Sequence, residues 1–221
     1  MKKLAIFDLD NTLLNGDSDH AWGEFLVNQQ CVDATYYESR NDQFYQDYKD
    51  GCLDINQYLE FALEPLTRYS NQRLASMHQQ FLEDVVRPMQ QVKAAALLDK
   101  HRSQGHFLLI ITATNSFVTK PIATLLGVDA ILATEPEIID NQYTGKVSGT
   151  PCFQDGKVTR LNQWLDENNY SLDGSYFYSD SINDLPLLEL VETAVAVDPD
   201  EKLTSIAQQR DWPIISLRNT L

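Results

Sequence analysis

The chain has 221 residues, 43% hydrophobic and 22% charged, with 32 acidic against 17 basic side chains and a formal net charge of −15. That is enough for one large domain, or a core with a smaller insert, around a real apolar interior, and the acidity argues against nucleic acid or an anionic membrane as the main partner. No apolar run approaches the ~20 residues of a membrane span. The apolar run at the N-terminus meets Asp8 too soon for a secretory signal, and three scattered cysteines (Cys31, Cys52, Cys152) without a C-x-x-C pair suit neither a disulfide framework nor a thiolate zinc site. A cytoplasmic protein with reduced thiols is expected.

In chain order, residues 4–7 form a short apolar run closed by Asp8, the pattern of a buried strand. Residues 18–86 contain no strand signal and read as four helices: 20–28 with Ser18 or Asp19 as cap, the aromatic-rich 33–50 ending at Gly51, then 54–63 and 71–86. Beyond them, helical patterns at 92–102, 119–126 (stopped by Gly127) and 157–168 alternate with apolar runs at 107–111, 176–178, 194–197 and 213–215. In 92–102 the residues Val92, Ala95, Ala96, Leu97 and Leu98 mark the expected buried face. Residues 137–144 suggest a small hairpin standing to the side of the sheet. Strands alternating with helices imply an α/β fold, a Rossmann-like, doubly wound, mostly parallel sheet, here interrupted by an inserted all-helical cap domain. The expected division is an α/β core of residues 1–14 and 87–221 and a helical cap of residues 15–86. The junctions are 14–16 and 87–88, with Gly16 as the hinge.

Four features carry chemistry. Asp8 and Asp10, in Asp-Leu-Asp-Asn-Thr at the end of the first strand, face the same way if the strand continues. Ligands of parallel sheets bind at this end of the strands, and two close carboxylates imply either a hard divalent cation or a division into acid and base. Ser-Asp-Ser-Ile-Asn-Asp after residues 176–178 places Asp180, Asn183 and Asp184 at another strand end, where Asp180 or Ser181 could equally cap a helix over 182–190. Thr112 ends the 107–111 run, where a hydroxyl suits a phosphate oxygen. Lys157 opens a helix, a position the helix dipole opposes, so some anionic partner should hold it.

These motifs, in this order over the whole chain, resemble the haloacid dehalogenase-like hydrolases, and within them the phosphoserine-phosphatase-like branch with a helical cap. The resemblance implies a phosphomonoester hydrolase working through an aspartyl phosphate. In that scheme Asp8 is the nucleophile and Asp10 the general acid and base. Lys157 offsets charge and, with Thr112 and Asn183, holds the phosphoryl oxygens. Mg²⁺ is bound by Asp8, the Asp10 carbonyl and Asp180, with Asp184 nearby. A receiver-type phospho-acceptor domain shares these residue types, but its acceptor ends a middle strand and it has no insert.

The substrate is then a small phosphate ester. In the branch, an acid nine residues after the nucleophile contacts the substrate amine, and Asp17 holds that position here. The arginine that holds phosphoserine's carboxylate aligns with Ala62. His20 and Arg40 complete the expected substrate-binding set. An amine partner without a carboxylate partner points to a phosphorylated amino alcohol such as histidinol phosphate. Relatives with a similar Asp-Ser-Asp-His-Ala-Trp segment imply the same, and phosphoserine is the alternative. Nothing in the sequence bears on oligomeric state.

Overall fold

A computed structural model describes residues 2–218. Its strands are β1 (Leu4–Phe7), β2 (Phe107–Asn115), β3 (Ala130–Ile139), β4 (Gln142–Ser148), β5 (Tyr176–Ser179), β6 (Thr193–Val197) and β7 (Ile214–Ile215). The helices are α1 (Ser18–Asn28), α2 (Ala34–Asp50), α3 (Ile55–Leu63), α4 (Asn71–Phe81), α5 (Arg87–Met89), α6 (Val92–Ser103), α7 (Ser116–Leu126), α8 (Asp155–Asn168), α9 (Leu185–Leu188) and α10 (Glu201–Gln209). The described residues form a seven-stranded sheet of order β4-β3-β2-β1-β5-β6-β7. All neighbours are parallel except β3 and β4.

Period-2 alternation divides the strands between two cores. Ala5, Phe7, Leu108, Ile110, Tyr178, Val195 and Val197 face α6 and α7, meeting Ala94, Leu98, Val118 and Ile122. Leu4, Ile6, Leu109, Ile111, Phe177, Ala194 and Ala196 face α8, α9 and α10, meeting Leu161, Leu165, Leu187, Leu188, Leu203 and Ala207. Burial on both faces explains why the strands read as unbroken apolar runs.

Three expectations are corrected here. The hairpin exists, with Asp140 and Asn141 both at positive φ in its turn, but it is no side excursion. β3 starts at Ala130, pairs in parallel with β2 from Leu109↔Ala130, and hands the sheet edge to β4. On α6 the buried residues are Ala94, Leu98 and His101, while Val92, Ala95 and Ala96 are exposed. The small alanines give no strong stripe, and tertiary packing chose the face. Finally, the chain stays helical past residue 86: a wider turn over Leu82–Val86 runs into α5, with Pro88 in its first turn, where a missing N–H costs little.

The insert is helical because each helix has its start signal. The side chains of Asp17, Asp33, Asp54 and Ser70 accept from first-turn N–H groups of α1, α2, α3 and α4, and α2 stops at Gly51 with φ 76°. The cap of α1 is thus Asp17, where Ser18 or Asp19 was expected. The two crossings between insert and core lie side by side: Leu14 pairs with Gln90, and Asn15 N–H donates to the Met89 carbonyl at 2.8 Å. Trp22 of α1 meets Phe81 edge-on at 5.2 Å and Phe117 of α7 at 5.3 Å. The buried His78 ring of α4 is 2.8 Å from the Val118 carbonyl. Trp22, Phe25, Met77 and Phe81 join the same apolar cluster as Phe7 and Val118. So α1 and α4 are bound into the core, and α2 and α3 form the outer layer over the ends of β1 and β2.

Candidate active site

The strand order reverses at β1, and the site lies at the carboxyl end of that strand, where an open parallel sheet leaves a crevice. Asp8 follows β1 directly, its N–H donating to the Tyr178 carbonyl of β5 at 2.9 Å, and it is 4% exposed. Lys157, in the first turn of α8, is 1% exposed. Its Nζ lies 2.8 Å from Asp8 Oδ1 and 2.6 Å from Asp184 Oδ1. These are the anionic partners that a lysine at a helix N-terminus requires. Burial opposes the lysine's charge, but Asp184 and Asp8 more than offset it and hold the ammonium well above its ordinary range. Burial pushes Asp8 up to about 7 despite Lys157, with Asp184 adding to the rise.

The chain then leaves the strand. Leu9–Leu13 forms a wide turn closed by Leu14 N–H on the Leu9 carbonyl at 3.0 Å, with Asn11 at φ 56°. Asp8 and Asp10 therefore do not sit on one continued strand. Asp10 is held separately: Ser18 N–H donates to its Oδ1 at 2.7 Å and the Thr114 hydroxyl to its Oδ2 at 2.8 Å. Withdrawal from water raises it to about 6, with Asp17 contributing, against the lowering effect of these bonds. Thr114 was missed from sequence. Its signal was present, since β2 runs on to Asn115 and alternation puts Thr114 beside Thr112. Thr112 is 1% exposed and lines the crevice, its hydroxyl accepting from Thr114 N–H at 3.2 Å.

Asp180 follows β5. The Thr12 hydroxyl donates to its Oδ1 at 3.2 Å and accepts from its N–H at 3.1 Å, tying the turn after β1 to the turn after β5. Burial, then Asp8 and Asp184, hold Asp180 well above the carboxylate range. The helix-capping alternative for Asp180 is not what forms: the side chain accepting from Asn183 N–H is Ser181. Asp184 has both oxygens engaged, by Lys157 and by the Ser179 hydroxyl at 2.7 Å. Asn183, expected at the phosphate, instead donates from Nδ2 to the Tyr48 carbonyl at 3.1 Å and accepts from Gln154 Nε2 at 3.2 Å. With Lys202 Nζ on the Asp50 carbonyl at 3.0 Å, it fastens the end of α2 to the core.

Two buried carboxylates, Asp8 and Asp184, thus share one lysine, and the half-buried Asp180 is tied to Thr12 beside them. Among the described residues no three His, Cys, Asp or Glu side chains gather as a ligand cluster. The Asp10 carboxylate is turned to Ser18 and Thr114, and Asp184 to Lys157 and Ser179. The free donor atoms are therefore oxygens of Asp8 and Asp180 and the backbone. That set, with its surplus of negative charge, suits a hard divalent cation.

From Asp8 a pocket opens towards the insert. Its lining includes Asp10, Asp17, Asp19, His20 and Thr112, and the rings of Phe44, Tyr45, Tyr48 and Tyr58. Close approach of α1 and α2 closes one side: the Asn41 amide donates to the His20 carbonyl at 2.9 Å, and a Cβ at Gly23 would lie 2.5 Å from its Nδ2. Asp17 lines the pocket, but its Oδ1 accepts from both Asp19 and His20 N–H at 2.9 Å. His20 lies against Tyr45, with ring centroids 4.7 Å apart, and its Nε2 is 2.8 Å from Asp42 Oδ1. Arg40 is not brought to the pocket, because its guanidinium lies over the Phe44 ring at 4.3 Å. Ala62 is absent from the lining too, 7% exposed on the inner side of α3. Asp19 was not singled out from sequence, where it read only as a possible helix cap.

A family model described as haloacid dehalogenase-like hydrolase matches residues 5–189. A histidinol-phosphatase from Neisseria meningitidis serogroup C is 46% identical over 222 aligned positions, covering 99% of this chain and 100% of the relative. A crystal structure of a protein of unknown function from Bordetella pertussis Tohama I superposes with TM-score 0.92 at 44% identity, covering 99% of this chain and 100% of that one. A substrate-bound phosphoserine phosphatase shares the fold, with TM-score 0.71 at 16% identity over 99% of this chain and 94% of the other. The chain belongs to the haloacid dehalogenase-like hydrolases. It is a phosphoric monoester hydrolase, and no helix among the described residues is long and apolar enough to cross a membrane.

Proposed function

We propose that the protein hydrolyses histidinol phosphate through an aspartyl phosphate on Asp8. The observation that carries this reading is the histidinol-phosphatase from Neisseria meningitidis, alike over the full length of both chains. The pocket supports it: among the described residues, the lining beyond Asp8 holds acids and aromatic rings and no Lys or Arg. Phosphoserine would there lack a cation for its carboxylate, and an unpaired buried charge is expensive.

Members of this family generally use a divalent metal. Oxygens of Asp8 and Asp180 and the Asp10 carbonyl would hold it here as Mg²⁺, which neutralises charge between nucleophile and phosphate. The remaining steps belong to the chain's own residues. An Asp8 oxygen bonds to phosphorus as the P–O bond to the alcohol breaks. Asp10, aimed by Ser18 N–H and the Thr114 hydroxyl, gives its proton to the departing alkoxide. It then takes a proton from the water that attacks the aspartyl phosphate, and phosphate leaves with Asp8 regenerated. Lys157 offsets charge at the phosphoryl group while fixing Asp8, and Thr112 supplies a hydroxyl to the phosphoryl oxygens. The layer of α2 and α3 excludes water during attack, and Asn183 and Lys202 fasten it closed.

The test is kcat/KM of the unmutated enzyme for histidinol phosphate against phosphoserine. The expected preference is at least about tenfold, or ~1.4 kcal/mol. A tenfold preference for phosphoserine overturns the assignment.

A further inference from the structure

We propose that Asp19 is the specificity-determining residue of this pocket, selecting phosphate esters that carry an ammonium group and rejecting those whose only other charge is a carboxylate. The inference rests on the phosphatase reading of the site and deepens it by naming the residue and the substrate chemistry.

Four acids line the pocket, and three of them already hold a lysine or backbone N–H groups. Asp8 is paired with Lys157. Asp10 has both oxygens occupied by Ser18 N–H and the Thr114 hydroxyl. Asp17 caps α1, accepting from two backbone N–H groups on one oxygen. Among the described residues Asp19 is held by neutral side chains: a long contact from Asn115 Nδ2 at 3.5 Å on Oδ1, and the hydroxyls of Tyr58 and Thr114 facing the same carboxylate. It forms no ion pair among the described residues. Burial, then the Asp17 charge, raises it to about 8, so its anion is disfavoured until a cation arrives.

The rest of the wall suits the same ligand. Phe44, Tyr45, Tyr48 and Tyr58 line the pocket with Asp19, and ring faces attract an ammonium group and leave a carboxylate without a partner. The lining His20 has its Nε2 turned to Asp42 Oδ1 at 2.8 Å. The family resemblance pointed to Asp17 for this role. The geometry moves it two residues along, because the helix start already places two backbone N–H groups on one Asp17 oxygen.

The test measures kcat/KM for histidinol phosphate, phosphoethanolamine, phosphoglycolate and p-nitrophenyl phosphate with the unmutated enzyme, Asp19→Asn, Asp17→Asn and Tyr58→Phe. Each ester is expressed relative to p-nitrophenyl phosphate, which has neither amine nor carboxylate. In Asp19→Asn the ratio for both amine esters should fall about 30-fold or more, a loss of ~2 kcal/mol, chiefly through KM, while the phosphoglycolate ratio rises. Tyr58→Phe should move the ratios the same way by a few-fold, and it decides the matter if Asp19→Asn does not fold. Asp17→Asn should move them less than Asp19→Asn. The inference is overturned if Asp19→Asn lowers all four esters in proportion, if the loss follows Asp17 instead, or if the unmutated enzyme takes phosphoglycolate as readily as the amine esters. Should phosphoethanolamine outperform histidinol phosphate while both still depend on Asp19, the histidinol reading falls and this one stands.

Discussion

Asp17 offers a clean separation of structural and chemical roles. Replacing it by alanine strips the cap from α1 and leaves Asp19 and His20 N–H, now bonded at 2.9 Å, without an acceptor. Loss of such a cap costs about 1–2 kcal/mol, and for a chain of this size each kcal/mol shifts Tm by roughly 2–4 °C, so a fall of about 2–8 °C is expected. Asparagine caps about as well as aspartate. It gives up a macrodipole contribution of about 0.3–1 kcal/mol but relieves the repulsion that Asp17 exerts on Asp10. Its Tm should therefore stay within about 2 °C of the parent. A catalytic consequence follows, because Ser18 is the first residue of α1 and its N–H aims Asp10 from 2.7 Å. Fraying the helix start in Asp17→Ala misdirects Asp10, so kcat for p-nitrophenyl phosphate should fall about tenfold further than in Asp17→Asn, a cost of ~1.4 kcal/mol. Thermal unfolding and steady-state kinetics on the two variants provide the comparison. Equal destabilisation by Asn and Ala, or an equal fall in kcat, refutes the capping argument.

Lys157→Met retains most of the side chain's bulk and removes the cation shared by Asp8 and Asp184; kcat should drop by at least about 10²-fold, measured on protein whose fold is verified by circular dichroism, and near-parental turnover would contradict the role given to this lysine. Treatment with EDTA should abolish hydrolysis and added Mg²⁺ should restore it, so full activity after exhaustive chelation excludes the oxygen site as a metal site. His101 is held down to about 4 by burial, then His106 and Lys100, although its ring nitrogens lie 2.8 Å from His106 Nδ1 and the Tyr178 hydroxyl. The unfolded chain takes up this proton near 6.5 and the folded protein only near 4, so the contribution to stability is full above pH 6.5 and is lost as pH falls towards 4, at up to ~1.4 kcal/mol per unit. In urea melts over that range, His101→Gln should show a shallower decline than the parent; parallel curves would refute the assignment.

Local pattern was enough for much of this protein. Residues buried on both faces of a sheet must be apolar without interruption, so β1, β5 and β6 were legible as runs, and Asp33, Asp54 and Gly51 punctuate helices through hydrogen bonds that reach only a few residues. The order of Asp8, Thr112, Lys157 and Asp180 was readable because chain order is a sequence property, and parallel strands bring their carboxyl ends to one edge of the sheet. What could not be read was allegiance between distant groups. That Lys157 is shared by Asp8 and Asp184, that Thr114 holds Asp10 from 104 residues away, and that Asn183 binds α2 rather than facing the pocket depend on which side chains the packed helices bring within reach. The same holds for Arg40, expected at the substrate, which packing laid over Phe44. Asp17 and Asp19 are separated by two residues and identical in chemistry. Both line the pocket, and only the three-dimensional course of α1 decides that one carboxylate takes two backbone N–H groups while the other meets side chains alone, because a hydrogen bond's direction is set by the fold around it.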